Sequence, residues 1–61
     1  MHLTIKAHDS GLGLYLANKP WRFHKHGNDV ASLLINVLNE GVTAAHYAGD
    51  LTDEELERDF C

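Results

Sequence analysis

The pattern of apolar and polar positions is most regular between residues 28 and 41. Apolar side chains recur there at intervals of three and four residues, at Val30, Leu33, Leu34, Val37 and Leu38. This spacing places them on one face of a helix. Asn28 is a suitable N-cap, and Gly41 can take the left-handed conformation that ends a helix. We therefore predict a main helix over 29–40 whose apolar face needs a covering layer.

The chain before this helix alternates between apolar and polar residues with a period of two, which is typical of half-buried β-strands. The predicted strands are 2–8, 12–17 and 21–25. The short breaks at 9–11 and 18–20 suit turns between antiparallel strands. The pattern predicts a three-stranded meander packed on the main helix, a two-layer α+β domain. An alternative joins 12–24 into one bent strand and leaves a plain hairpin.

The chain after Gly41 carries a weaker pattern. Residues 42–49 are small and mildly apolar, and they suit a short helix, an extended segment or a loop; we favour a short helix over 43–48. Thr52 followed by Glu55 fits a capping box, and Leu51 with Leu56 fits a hydrophobic staple. These signals predict a final short helix over 53–60.

The length of 61 residues allows a single domain, 1–61, which buries only about 60% of its unfolded surface. The single cysteine, Cys61, cannot form an internal disulfide, so a homodimer or a bound partner is the expected supplement to a small core. No apolar run approaches the roughly 20 residues of a membrane span. The N-terminus lacks the apolar core of a signal peptide, and we expect a cytoplasmic protein without a membrane partner.

Charge divides the chain more sharply than its net value of −4 suggests. The first 27 residues hold four cations against Asp9, whereas the remainder holds eight acidic residues against Arg58. Six of the acidic residues gather around the last predicted helix: Asp50, Asp53, Glu54, Glu55, Glu57 and Asp59. Such a group can form a contact surface for a larger protein with a basic surface. The simpler interpretation is that these residues keep a small protein soluble.

The candidate residues for catalysis or metal binding do not form a recognisable motif. His2 and His8 lie on the first predicted strand, about 9–10 Å from the strand of His24, too far to share an ion with His24 or His26. His24 and His26 together would bind a transition metal only weakly. Cys61 and His46 lack an orienting group. We expect no cofactor and no metal site, and we do not expect an enzyme.

The outer face of the predicted meander offers a second kind of surface. Lys6, Tyr15, Arg22 and His24 share that face in the predicted register, and cations with an aromatic ring can contact phosphates and stack bases. The leading hypothesis is nevertheless a non-enzymatic protein-binding module, an inhibitor or regulator that uses its acidic C-terminal half. A phage or mobile-element protein acting on a host or defence complex would fit this description. Nucleic-acid binding is the less favoured alternative.

Overall fold

A computed structural model describes all 61 residues as one four-stranded mixed sheet with two helices. The elements in chain order are β1 (His2–His8), β2 (Gly11–Leu16), β3 (Lys19–Lys25), α1 (Val30–Asn39), β4 (Ala44–Asp50) and α2 (Asp53–Phe60). The strand order is β3-β2-β1-β4. Neither helix has the length and apolar character that crossing a lipid bilayer requires. The predicted α+β class is confirmed.

The predicted meander is confirmed, since β1 pairs antiparallel with β2 and β2 antiparallel with β3. A single bent strand over 12–24 is therefore wrong. Ala17 and Asn18 both have positive φ angles, 51° and 65°, as in a two-residue hairpin turn. β3 consequently begins at Lys19 rather than at residue 21. Pro20 is tolerated because β3 is an edge strand.

The predicted short helix over 43–48 is wrong, because this segment forms β4 at the other edge of the sheet. β4 runs parallel to β1, with His2 opposite Ala44 and Ile5 opposite Tyr47. Alanine-rich sequence has little strand preference of its own. The strand therefore depends on its pairing with β1, which the local sequence does not reveal.

The two helices cover opposite faces of the sheet. Leu14 faces α1, and it forms the core with Leu3 and Leu16, against which Leu33 and Val37 of α1 pack. Its neighbour Gly13 faces α2, where a Cβ atom would lie 2.9 Å from Leu51 Cδ2 and 3.1 Å from the ring of Phe60. The absence of a side chain at this position lets α2 lie close to the sheet. The predicted domain has two layers, the sheet and the main helix. The structure has a third layer, formed by α2 on the opposite face of the sheet.

The main helix is confirmed, but its predicted apolar face is only partly used. Asp29 is the N-cap instead of Asn28, and its side chain accepts a hydrogen bond from the Ala31 N–H. No residue of α1 is buried. Leu33 and Val37 contact the core, whereas Leu34 and Leu38 remain 56% and 72% exposed. The expectation that the whole face is covered is therefore wrong.

The C-terminal helix is confirmed over 53–60. Thr52 and Glu55 form the predicted capping box, with both reciprocal hydrogen bonds present. Leu51 is buried beside Gly13, and Leu56 is half-buried. The chain therefore enters α2 at a fixed angle against the sheet.

We predict that two leucine-to-alanine variants will differ strongly in stability. Leu14 is 1% exposed and lies at the centre of the sheet, so Leu14→Ala should lower the free energy of unfolding by about 2–5 kcal/mol. Leu34→Ala should lower it by less than about 1 kcal/mol, because Leu34 is mostly in solvent. Urea unfolding of both variants measures the difference. Equal losses would contradict the assignment of the core.

Candidate protein-binding surfaces

Glu55 is one of the six acidic residues predicted to bind a partner, but its side chain accepts hydrogen bonds from other residues of the same chain. Its Oε2 atom accepts a hydrogen bond from Lys6 Nζ at 2.8 Å, and both side chains are about three-quarters buried. Its Oε1 atom accepts from the Thr52 N–H at 3.2 Å as part of the capping box. The hydrogen bond from Lys6, followed by that from Thr52, lowers the pKa of Glu55. Glu55 therefore attaches α2 to β1.

Asp59 is the second acid that holds α2 on the sheet. It accepts a hydrogen bond from the Tyr15 hydroxyl at 2.6 Å, and its side chain is 11% exposed. Hydrogen bonds from Arg58 and then Tyr15 lower the pKa of Asp59 to about 2. Burial, and then the hydrogen bond to Asp59, raise the pKa of Tyr15. The phenol and the carboxylate thus form a fixed contact between β2 and α2.

Asp53 belongs to a chain of hydrogen bonds through His8 and Ser10. The Ser10 backbone N–H donates to His8 Nδ1 at 3.1 Å, so this nitrogen is an acceptor and the Ser10 hydroxyl also donates to it, at 2.7 Å. His8 Nε2 then donates to Asp53 Oδ1 at 2.6 Å.

An open pocket of about 400 Å³ lies beside this Ser10–His8–Asp53 chain and is lined in part by His8 and Asp53. The three residue types are those of a nucleophilic triad. However, Asp53 is 94% exposed, and both donors to Nδ1 come from the turn that closes the β1–β2 hairpin. We therefore interpret these hydrogen bonds between Ser10, His8 and Asp53 as a structural link from that turn to the start of α2.

The remaining three acids are exposed. Asp50 accepts only a long hydrogen bond, 3.5 Å, from the Tyr47 hydroxyl. Glu54 and Glu57 make no side-chain hydrogen bond or ion pair. The six predicted residues therefore do not form one open acidic surface. Half of them, Asp53, Glu55 and Asp59, contact the sheet of the same chain.

The four residues of the nucleic-acid hypothesis lie on opposite faces of the sheet. Lys6 and Tyr15 face α2, where the Lys6 ammonium lies 5.3 Å from the centre of the Tyr15 ring and both side chains bind carboxylates. Arg22 pairs with Leu14 and His24 with Leu12, so both point to the α1 side. The bulge between Leu14 and Tyr15 adds Trp21 to β3, and Arg22 stacks over its ring at 4.4 Å. The predicted common surface is therefore wrong.

Phe23 faces α2, on the same side of the sheet as Lys6 and Tyr15. Its ring lies 5.9 Å from that of Phe60, which is 5.3 Å from that of Tyr15. The three rings fill the space between β2, β3 and α2. The part of the Lys6 face that lies over β2 and β3 is consequently the interior of a second packed layer and is not open to a ligand.

Four of the six exposed large apolar side chains of the protein lie on α1. Its outer residues Val30, Leu34, Ile35 and Leu38 are each more than half exposed, and we refer to them as the apolar face of α1. Val30, Leu34 and Leu38 follow one another at intervals of four residues and therefore form a continuous row. Tyr47 of β4 is also exposed, and its register opposite Ile5 places it on the same side of the sheet.

The sequence of α1 contains no charged residue from Val30 to Asn39. A helix on the surface normally carries charged residues on its outer side. The sequence shows both this lack of charge and a further apolar residue, Ile35, outside the predicted apolar face. The exposed apolar surface was not predicted, because the sheet was expected to cover the whole predicted apolar face of the helix.

Comparison of the chain with protein-family profiles, curated proteins and solved structures finds no match.

We predict that Asp59 makes folding sensitive to acid. Its folded pKa of about 2 lies below its unfolded value of about 3.9, so protonation favours the unfolded chain. Its contribution is complete above about pH 4 and is lost as the pH falls toward 2. Asp59→Asn should therefore be less stable than wild type at pH 7 and lose less stability over this interval. Circular dichroism during acid titration with urea measures both effects.

Glu57→Gln is the matched control for this titration, because Glu57 is exposed and makes no side-chain hydrogen bond or ion pair. It should follow the wild-type curve. An Asp59→Asn curve that runs parallel to wild type from pH 5 to pH 2 would contradict the role of Asp59.

Proposed function

We propose that this protein acts by binding another protein, and that the apolar face of α1 is its contact surface. The observation that carries this proposal is that an uncharged helix exposes four large apolar side chains. The centre of a protein interface is depleted in charged residues, and a continuous exposed apolar patch is typical of an interaction site.

The shape of this surface favours a particular mode of binding. An amphipathic helix that enters a groove presents apolar anchors spaced three or four residues apart along one face. Val30, Leu34, Ile35 and Leu38 have this spacing. The partner is then a larger protein with an apolar groove. Binding of this kind by a small cytoplasmic protein suits an inhibitor or regulator, and a phage or mobile-element origin agrees with that role.

The acidic residues have a smaller part in this proposal than the sequence suggested. Glu54 and Glu57 remain available for a basic partner surface, but they belong to α2, on the opposite side of the sheet from α1. At a distance they would raise the association rate through long-range attraction and add little to the contact itself. Direct contact of the acidic group with a basic partner stays a prediction.

The test compares two double variants in affinity capture from cells of the source organism. Leu34→Lys/Leu38→Lys changes the apolar face of α1, and Glu54→Lys/Glu57→Lys changes the exposed acids to the same residue type. All four positions are exposed, so both variants should remain folded by circular dichroism. We expect a specific protein to be captured by wild type and by the acidic-residue variant, and to be lost with the α1 variant.

The opposite pattern, with loss only in the acidic-residue variant, would overturn the assignment of the surface and favour the acidic group.

Sedimentation of the same proteins tests whether the protein forms a homodimer. If two copies pair through the apolar face of α1, wild type should associate at high concentration and Leu34→Lys/Leu38→Lys should remain a monomer.

A further inference from the structure

The pairing of β4 with β1 brings two histidines together that are 44 residues apart in the chain. His2 lies opposite Ala44, and His46 lies opposite Thr4, so the two histidines are diagonal neighbours on one face of the sheet. Their ring centres are 4.5 Å apart with an angle of 60° between the ring planes. His2 Nε2 and His46 Nδ1 point at each other.

We propose that His2 and His46 form a binding site for one divalent transition-metal ion. Imidazole nitrogens are the ligands that zinc, copper and nickel share, and either ring nitrogen can bind. A tetrahedral ion with both nitrogens at about 2.1 Å separates them by roughly 3.4 Å. Because both side chains are exposed, a small rotation of the rings provides this separation.

The backbone holds the two ligands in place before an ion binds. Both residues project from paired strands, and side chains on strands are positioned better than those on loops. The Thr43 N–H donates to the Met1 carbonyl oxygen at 2.9 Å, and the Met1 amine donates to the Gly41 carbonyl oxygen at 3.1 Å. These bonds fix the start of β1 beside the start of β4.

The protein supplies two ligands, and water completes the coordination. The structure contains no group of three or more His, Cys, Asp or Glu side chains that could hold an ion. The site is accessible, since α2 packs over β2 and β3 and leaves the β4 side of this face open. An ion here would join β4, whose only strand partner is β1, more firmly to the sheet.

This site departs from the sequence-based expectation that no metal is bound. That expectation considered His24 with His26, and it placed His46 on a short helix. The formation of β4 changes the geometry. The site is independent of the proposed protein-binding function, because it lies on the opposite side of the sheet from the apolar face of α1.

The experiment uses the full chain without an affinity tag, since a histidine tag would itself bind metal. Isothermal titration with zinc chloride in a non-coordinating buffer at pH 7.5 should show one ion per chain. The midpoint of thermal unfolding should rise with zinc concentration, because the ion binds the folded arrangement and not the separated histidines of the unfolded chain. Copper(II) should bind more tightly than zinc or nickel.

Five single variants localise the ion. His2→Ala and His46→Ala should each lose the binding heat and the shift in unfolding midpoint, and His46→Gln repeats the test with a larger side chain. His24→Ala and His26→Ala are matched controls on the other edge of the molecule, and they should bind as wild type does. Absence of saturable binding, or binding that survives both His2→Ala and His46→Ala, would overturn the proposal.

Discussion

The structure depends on the burial of β2 from both sides. Five of the seven buried residues lie on this strand: Gly11, Gly13, Leu14, Tyr15 and Leu16. Leucines on one face pack against α1, while Gly13 and Tyr15 on the other lie under α2. A short chain has too little apolar surface to build a thick core. This protein therefore places one helix on each face of its central strands, β1 and β2, instead of covering a single broad face of the sheet. Every other element is positioned by its contact with this pair.

Hydrogen bonds from the sheet to carboxylates of α2 hold the second layer. The helix richest in carboxylates lies on the sheet face that carries Lys6 and His8, and it is attached there through Glu55, Asp53 and Asp59. The lysine and the phenol are partly buried, which makes their hydrogen bonds to carboxylates stronger than those of exposed pairs. The acidic group is thus first a structural feature of the fold. Only its outer members remain for an external partner.

Because the core is small, two surfaces of the protein are not covered by other parts of the chain. α1 contacts the sheet through Leu33 and Val37 and exposes a row of apolar residues. β4 contacts the sheet through β1 alone and presents His46 beside His2. We propose the first as the contact for a protein partner and the second as a metal site. They lie on opposite sides of the sheet, so occupation of one does not block the other.

The sequence alone predicts the elements whose signals are local. The alternation of Leu12, Leu14 and Leu16, the period of α1 and the capping box of α2 each specify a strand or a helix within a few residues of chain. It did not predict β4, because the small residues of Ala44–Asp50 have little strand preference and form a strand only through pairing with β1, some forty residues away. Nor did it determine which side of the sheet Arg22 and His24 occupy. The bulge at Trp21 and the register of β3 decide that, and register is a property of paired strands.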